Sequence, residues 1–371
     1  MTSPATFDIF LVTAPGLEAV VAAEARAKGF GDAKTGTGGV TIQGTWPDVW
    51  RANLELRGPS KILARIVQFR VLHLAQLDKR ARKVAWSDVL RADIPFRVEA
   101  ACTNSRIYHS GAAAQRIERA ICDTLGAPAA KDAEVAVMAR IDDDLCTLSI
   151  DASGEPLHKR GYKQAVAKAP MRENLAACFL SLCGYDGSEP VVDPMCGSGT
   201  FVIEAAEIAA GLRPGRSRPF AFEQLATFDE AAWTALLSSS SPHTPAANFY
   251  GSDHDAGAIR MSLANAKRAD VGGMTQFRQC AINDLTAPEG PTGLVIVNPP
   301  YGARIGDKGH LNALYHSLGY TLRQTFKGWR VGLVTSEPSL AHATELNFVK
   351  KSAPVGHGGL RITLYQTAPL S

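Results

Sequence analysis

The second half of the chain alternates short apolar strands with helical segments, and this pattern constrains the fold more than any other feature. Strands are predicted at 191–192, 249–252, 294–298 and 330–335, and helices at 200–210, 256–269 and 311–326. Such alternation predicts an α/β fold with a mostly parallel sheet and helices on both faces. Ligands of these sheets bind at the carboxyl ends of the strands, so we expect the functional site there. The Ser/Pro-rich stretch 236–245 is predicted to be a loop.

The first half mixes strands and helices without a nucleotide-type loop. Strands are predicted at 7–13, 40–43, 62–72, 96–101, 135–141 and 145–150, and helices at 17–28, 46–53, 77–91 and 112–125. The last two strands are separated by three aspartates, which predicts a hairpin turn. Small α+β modules of ferredoxin-like type accommodate these elements, and we place a boundary near Ser153 and Gly154.

Composition limits the classes of protein that this chain can represent. Its 371 residues exceed one ordinary domain, and the 46% hydrophobic content excludes a disordered chain. The net charge of +3 argues against a protein that coats nucleic acid, so any basic surface is local. Seven cysteines without a Cys-x-x-Cys pair argue against a zinc site or a disulfide framework. No apolar run is long enough to span a bilayer, and no export signal is visible. We therefore expect a cytoplasmic protein without metal or membrane association.

A glycine-containing loop follows the first strand of the second half and leads directly into a helix. Its sequence from Asp193 to Thr200 is DPMCGSGT. Gly197 and Gly199 allow the backbone to approach a ligand, and the helix start offers free N–H groups to a carboxylate or phosphate. The loop is not a P-loop, and Val202 occupies the third glycine position of the dinucleotide fingerprint. A structural tight turn remains the alternative.

The next strand ends in an acidic residue, Asp253. In sheets of this kind a carboxylate at that position accepts hydrogen bonds from the two hydroxyls of an adenosine ribose. The alternative role is a cap for the helix that begins at residue 256, for which Asp255 is an equally good candidate. We favour ribose binding for Asp253 because it lies nearest the predicted strand tip.

The most specific motif is Asn298-Pro299-Pro300-Tyr301, which follows an apolar strand. The side-chain oxygen of Asn298 and the carbonyl of Pro299 can accept both hydrogens of a planar exocyclic amine. Tyr301 can stack on the ring that carries this amine. The alternative is a rigid turn that buries the tyrosine.

The glycine loop and the Asn298 motif together resemble the cofactor loop and catalytic motif of class I S-adenosylmethionine-dependent amino-methyltransferases. A narrower resemblance, to bacterial THUMP-domain RNA methyltransferases and their large-subunit rRNA guanine-N2 (RlmL-like) branch, covers most of the chain. It is carried by segments 13–18 (TAPGLE), 157–162 (LHKRGY) and 169–177 (APMRENLAA), and by the insertion 220–233.

This resemblance implies a ferredoxin-like module at 1–60, a THUMP RNA-binding domain at 61–155 and a Rossmann-like methyltransferase domain at 156–371. It implies methyl transfer from S-adenosylmethionine to the exocyclic N2 of a guanosine in structured RNA, with 23S rRNA expected first and tRNA second. We expect a monomer whose partner is RNA. The implied catalytic residues are Asn298, Pro299 and Tyr301. The implied cofactor-binding residues are Asp193, Met195, Cys196, Gly197, Gly199, Thr200, Asp253, His254, Asp284 and Asn298.

One position departs from the family pattern. Ala281 occupies the place of an aspartate that holds the adenine amino group, so Asn283 or Asp284 is expected to substitute. Three basic clusters are interpreted as a phosphate track for RNA: Lys79, Arg80, Arg82 and Lys83; His158, Lys159 and Arg160; and Arg213, Arg216 and Arg218. The competing functions are an adenine-N6 or protein-glutamine methyltransferase and a non-catalytic RNA-binding assembly factor.

Overall fold

A computed structural model describes residues 6–164, 171–301 and 308–371. The chain forms two compact units. Unit 1 comprises Met1–Thr13, Val21–Leu157 and Arg218–Ser239, and unit 2 comprises Ala14–Val20, His158–Ser217 and Ser240–Ser371. Part of the predicted 169–177 motif, residues 169 and 170, lies outside the described residues.

The strands, in chain order, agree closely with those predicted from the sequence pattern. They are β1 (Phe7–Val12), β2 (Lys34–Gly36), β3 (Gly39–Gly44), β4 (Lys61–Arg70), β5 (Phe96–Thr103), β6 (Val135–Asp142), β7 (Leu145–Asp151), β8 (Val191–Asp193), β9 (Phe249–Asp253), β10 (Thr275–Gln279), β11 (Leu294–Val297), β12 (Arg330–Thr335), β13 (Phe348–Lys351), β14 (Val355–His357) and β15 (Leu360–Thr367). The strands that the pattern missed are β2, β10 and β13 to β15.

The helices are α1 (Glu18–Ala27), α2 (Trp46–Glu55), α3 (Leu74–Ala81), α4 (Ser110–Leu125), α5 (Glu173–Leu182), α6 (Thr200–Ala209), α7 (Glu230–Ser238), α8 (Ala256–Arg268), α9 (Lys308–Thr325) and α10 (Pro338–Ala343). The predicted helix 77–91 is wrong in extent, because α3 ends at Ala81. A short 3₁₀ turn, Trp86–Asp88, follows it. The buried Trp86 indole donates a hydrogen bond to the Ala81 carbonyl at 2.9 Å, which replaces the backbone bond that a continuing helix would make. The first three residues of the predicted loop 236–245 are helical instead, since α7 extends to Ser238.

Unit 1 contains one seven-stranded sheet in the order β2-β3-β1-β4-β7-β6-β5. Strand β4 pairs antiparallel with β1 on one side and with β7 on the other. A Lys61–Asp151 ion pair, whose carboxylate is fully buried, joins the same two strands β4 and β7. The two small α+β modules predicted from the sequence are therefore halves of a single sheet that share β4.

The segment Arg218–Ser239 packs within unit 1, although the sequence suggested that it belongs to the second domain. Phe222 is fully buried there. Its ring centroid lies 5.0 Å from that of Trp233 and 6.0 Å from that of Trp50 on α2. The backbone N–H of Phe222 also donates to the carbonyl of Ala152 at 3.1 Å. A cut near residue 155 would therefore remove an aromatic cluster from the unit that it stabilises.

Unit 2 contains the second sheet, in the order β10-β9-β8-β11-β12-β15-β13, with β14 paired to β15. The first five strands in this order are parallel, whereas β15 is antiparallel to β12. Val295 and Val297 of β11 are fully buried and belong to one apolar cluster with Tyr315 and Leu318 of α9. The carboxyl ends of β8, β9 and β11 lie at one edge, because parallel neighbours end on the same side.

We predict that Phe222→Ala lowers the free energy of unfolding by about 3–5 kcal/mol, the usual cost of removing a buried aromatic ring. Leu237→Ala provides the matched control, since Leu237 lies on α7 of the same segment but is 40% exposed. Urea unfolding of the full chain measures both changes. Equal losses of stability for the two variants would contradict the assignment of the segment to the core of unit 1.

Candidate active site

The loop between β8 and α6 has the geometry that its glycines suggest. Gly197 and Gly199 both have positive φ, +54° and +84°. A Cβ at Gly199 would lie 3.1 Å from Ser262 Oγ and 3.2 Å from the Phe277 ring, so this glycine is required for packing. A Cβ at Gly197 would meet no described atom within 4 Å. The backbone at Gly197 therefore borders open space that a ligand can approach.

Two buried polar residues of α8 hold the other side of this loop, and the sequence analysis missed both. Ser262 Oγ donates to the carbonyl of Gly197 at 2.9 Å, and Asn265 Nδ2 donates to the carbonyl of Ser198 at 3.0 Å. Both residues are fully buried. Polar residues three positions apart on the buried face of a helix were the available signal, because buried polar groups need partners.

Asp253, at the end of β9, faces the glycine loop. Its Oδ2 accepts a hydrogen bond from the N–H of Gly197 at 3.0 Å, and its Oδ1 accepts one from the N–H of Asp255 at 3.0 Å. Asp255 is the residue that caps α8, through a 2.8 Å bond from the N–H of Gly257. The helix-cap role therefore belongs to Asp255, and ribose binding by Asp253 stays a prediction. Each oxygen of Asp253 retains acceptor capacity for a ligand hydroxyl.

Asp193, at the end of β8, is buried beneath the same loop. Its Oδ1 accepts a hydrogen bond from the N–H of Met195 at 3.1 Å. The pKa of this carboxyl is raised to about 8, chiefly by burial and also by the nearby charge of Asp253, against the opposing effect of the hydrogen bond from Met195. Cys196 is also buried and its N–H donates to the carbonyl of Ser252 at 2.9 Å, which ties the loop to β9. Both side chains therefore shape the loop from within.

Asn298 follows β11, the strand that pairs with β8. Its Oδ1 is inaccessible to solvent, and no described residue donates a hydrogen bond to it. A buried acceptor without a donor is costly, so such an atom is a candidate for a ligand contact. Pro299 is buried beside it. The Asn298 side chain is therefore the clearest unsatisfied acceptor at this edge of the sheet.

Tyr301 is half-buried and packs against the apolar cluster formed by β11, β12 and α9. Burial raises the pKa of its phenol to about 12, so the hydroxyl stays protonated at neutral pH. Met195 of the glycine loop packs against the same cluster. The glycine loop and the Asn298 motif therefore border one apolar wall, and part of the Tyr301 ring belongs to that wall.

The remaining predicted site residues are more exposed. The side chain of His254 is 86% exposed, with Nδ1 3.3 Å from Asp253 Oδ1. Ala281, Asn283 and Asp284 are exposed at a 3₁₀ turn beyond β10. This turn is connected to the site through the N–H of Cys280, which donates to the carbonyl of Asp253 at 2.9 Å. Asp284 thus lies near the expected edge, and an adenine contact for it stays a prediction.

Several basic residues that were interpreted as a phosphate track have structural partners instead. Arg160 is 2% exposed, and its guanidinium lies 3.5 Å from the buried carboxylate of Glu204. Arg216 donates to the buried Glu207 at 2.6 Å. Arg218 donates to backbone carbonyls at Glu155 and Pro156.

The remaining members of the basic clusters also present less positive charge to solvent than the sequence suggests. Arg82 is paired with Asp78 and Asp123 at 2.8 and 2.7 Å. Burial, together with neighbouring cations, lowers the pKa of His158 to about 4, so His158 is uncharged at neutral pH. Lys159, Lys79 and Lys83 remain exposed. The predicted track is therefore wrong for Arg160, Arg216 and Arg218, which serve the fold.

Within the described parts of the chain, no cluster of three or more His, Cys, Asp and Glu side chains has the arrangement of a metal site. No helix among the same residues has the length and apolarity that a membrane span requires.

Comparison with protein families gives three consecutive matches. Residues 8–63 match the RlmL ferredoxin-like domain, residues 73–151 the THUMP domain and residues 160–365 the RMKL-like methyltransferase domain. The fold class predicted from the sequence is thereby confirmed.

Individual relatives extend over almost the whole chain. "Putative RNA methyltransferase slr0064" of Synechocystis sp. is 30% identical to this chain. The match covers 98% of this chain and 97% of the relative. The crystal structure of SMU.472, described as a putative methyltransferase complexed with SAH, has a TM-score of 0.89, 27% identity and full coverage of both chains. A Listeria monocytogenes structure, described as a predicted N6-adenine-specific DNA methylase, has a TM-score of 0.88 and 28% identity, with 98% of this chain and 97% of that chain covered.

The buried carboxyl of Asp193 should make stability depend on pH. Its pKa of about 8 exceeds the ordinary aspartate value of about 3.9, so the folded chain retains a proton that the unfolded chain releases in between. This contribution to stability is complete below about pH 4 and is lost as the pH rises through about 8. We predict that urea unfolding between pH 5.5 and 8.5 shows a steeper loss of stability for the wild type than for Asp193→Asn. Parallel profiles would contradict this prediction.

Proposed function

Because this chain belongs to the family of RMKL-like methyltransferase domains, preceded by an RlmL ferredoxin-like and a THUMP domain, we propose that it methylates the exocyclic N2 of a guanosine in structured RNA. The observation that carries the proposal is the buried, unsatisfied Oδ1 of Asn298 at the sheet edge that also holds the glycine loop. The general activity, S-adenosylmethionine-dependent RNA methylation without a specified base, agrees with the descriptions of the relatives. The choice of guanine N2, and of 23S rRNA before tRNA, is supported by the sequence resemblance.

The described residues fit S-adenosylmethionine. Open space borders Gly197, and the N-terminus of α6 follows Gly199, so backbone N–H groups are available to an anionic carboxylate. The Asp253 carboxylate, 12% exposed, is available to ribose hydroxyls. The SAH complex of the 27% identical SMU.472 supports the same ligand class. When bound, S-adenosylmethionine supplies a methyl group that its sulfonium makes electrophilic.

The Asn298 motif suits an aromatic amine, which is a poor nucleophile because its lone pair is delocalised into the ring. Acceptors that bind the N–H groups out of the ring plane favour a pyramidal nitrogen with a more available lone pair. Asn298 Oδ1 is one such acceptor, and the Pro299 carbonyl is a second. Neither proline of the motif has an N–H that would compete for these acceptors. We infer that these residues orient the amine and that positioning supplies most of the catalysis.

Three histidines of unit 2, His254, His310 and His316, do not provide an obvious base. His254 and His316 have exposed side chains, and His310 is exposed as well. The proton that leaves the methylated nitrogen passes to solvent water. A target base within an RNA helix has to leave the stack before its amine can reach Asn298.

The direct test of the proposal is mass spectrometric nucleoside analysis of 23S rRNA and tRNA from a deletion strain and from the parent strain. We expect one N2-methylguanosine to disappear from the 23S rRNA and to return with the complementing gene. Loss of this nucleoside from tRNA would move the substrate to tRNA. Loss of N6-methyladenosine would identify adenine as the target base in place of guanine. Adenine is the base in the description of the Listeria protein. An unchanged RNA would contradict the proposed activity.

Asn298→Ala should act on the chemical step. The change removes the proposed acceptor and leaves the glycine loop and Asp253 intact. We therefore expect unchanged affinities for SAH and RNA, and a single-turnover rate reduced by roughly a hundredfold or more. Asn248→Ala, at an exposed asparagine just before β9 and so at the opposite end of that strand from Asp253, should retain the wild-type rate. A near-normal rate for Asn298→Ala at saturating cofactor and RNA would exclude the orienting role.

A further inference from the structure

The segment 158–164 (HKRGYKQ) lies between β7 and α5 in the sequence. Its backbone is fixed from two sides within unit 2. A Cβ at Gly161 would lie 2.6 Å from the carbonyl oxygen of Ser217, so only glycine fits there. The next residue, Tyr162, is buried, and its carbonyl accepts a hydrogen bond from Arg268 Nε at 2.7 Å. These contacts determine where Lys163 enters the unit.

The Lys163 side chain is 8% exposed and its ammonium has a complete set of partners. Nζ donates to the carbonyl of Met171 at 2.7 Å and to Thr200 Oγ1 at 2.8 Å, and it lies 3.4 Å from Glu173 Oε1. An ammonium has three N–H donors, and three oxygens surround this one. Lys163 therefore acts on neighbouring residues rather than on a ligand.

Thr200 is the residue through which Lys163 reaches the candidate site. It is the first residue of α6 and directly follows Gly199. Its side chain is buried, and its hydroxyl accepts the hydrogen bond from Lys163 Nζ. The hydrogen bond thus connects segment 158–164 to the end of the glycine loop.

The position of this cation is unfavourable for the helix itself. The N-terminus of a helix carries partial positive charge, and a cation there lowers helix stability. The nearby Glu173 and Glu204 carboxylates offset this cost, as their charges oppose the effect of burial on the pKa of Lys163. The ammonium and the helix N-terminus together favour an anionic group at the loop.

We propose that Lys163 is a positioning residue that holds the start of α6, and with it the glycine loop, in the geometry that receives the carboxylate end of S-adenosylmethionine. The inference rests on the proposed function, since it specifies how that cofactor is bound. Lys163 acts through its hydrogen bond to Thr200 and touches neither the reacting nitrogen nor the methyl group.

The test compares Lys163→Met with Arg216→Met in the full chain, by calorimetric titration with SAH. Arg216 forms a 2.6 Å ion pair with the buried Glu207 on the same helix α6, but away from the loop. Both variants should lose thermal stability. Only Lys163→Met should weaken SAH binding, by about tenfold or more. Its kcat at saturating cofactor should stay within about threefold of wild type, because the loss lies in binding. Unchanged SAH affinity in Lys163→Met, or an equal loss in Arg216→Met, would overturn the proposal.

A double-mutant cycle with Thr200→Val tests the route of the effect, since valine keeps the shape of threonine and removes its hydroxyl. If Lys163 acts through Thr200, the double variant binds SAH as weakly as Lys163→Met and no more weakly. Additive losses would show that the two residues act separately and would overturn the proposed connection. A wild-type chain that fails to bind SAH would instead contradict the proposed function. The two failures are therefore distinguishable.

Discussion

The hydrogen bond from the N–H of Gly197 to Asp253 Oδ2 is the contact on which the candidate site depends. This 3.0 Å bond connects the loop after β8 to the tip of the neighbouring parallel strand β9. Ser262 and Asn265 hold the carbonyl groups of the same loop from the α8 side. The loop is thereby fixed by the protein on its inner face. A preformed loop lowers the entropic cost of binding, because the loop does not have to be ordered by the ligand.

The strand and helix pattern predicted most of the fold because strand ends and helix faces follow from local hydrophobic periodicity. Strand β10 (TQFRQ) was not predicted because it lies at a sheet edge, pairs with β9 alone among the described strands and carries mostly polar side chains. The helix predicted at 77–91 was too long because Trp86 turns back onto Ala81, a tertiary contact that periodicity does not encode. Such errors concentrate where long-range packing outweighs local pattern.

The candidate site was predictable to the extent that its residues follow strand ends. The glycine loop, Asp253 and Asn298 each come directly after a strand of the parallel sheet, and the fold brings such positions to one edge. The basic clusters were not predictable in this way. Arg160 and Arg216 carry the same charge as a surface arginine, but each is paired with a buried carboxylate, 44 and 9 positions away in the sequence. A charge count cannot identify such partners.

The composition of the two compact units explains why the chain does not divide at one sequence boundary. Residues 14–20 belong to unit 2, where a Cβ at Gly16 would lie 3.3 Å from that of Ala353, whereas residues 218–239 belong to unit 1. Each unit therefore needs residues from both halves of the sequence to complete its packing. A chain interrupted at residue 155 would leave Phe222 and Trp233 without Trp50, and unit 1 without part of its core. The ferredoxin-like, THUMP and methyltransferase domains thus match separate families, yet each compact unit takes residues from both halves of the chain.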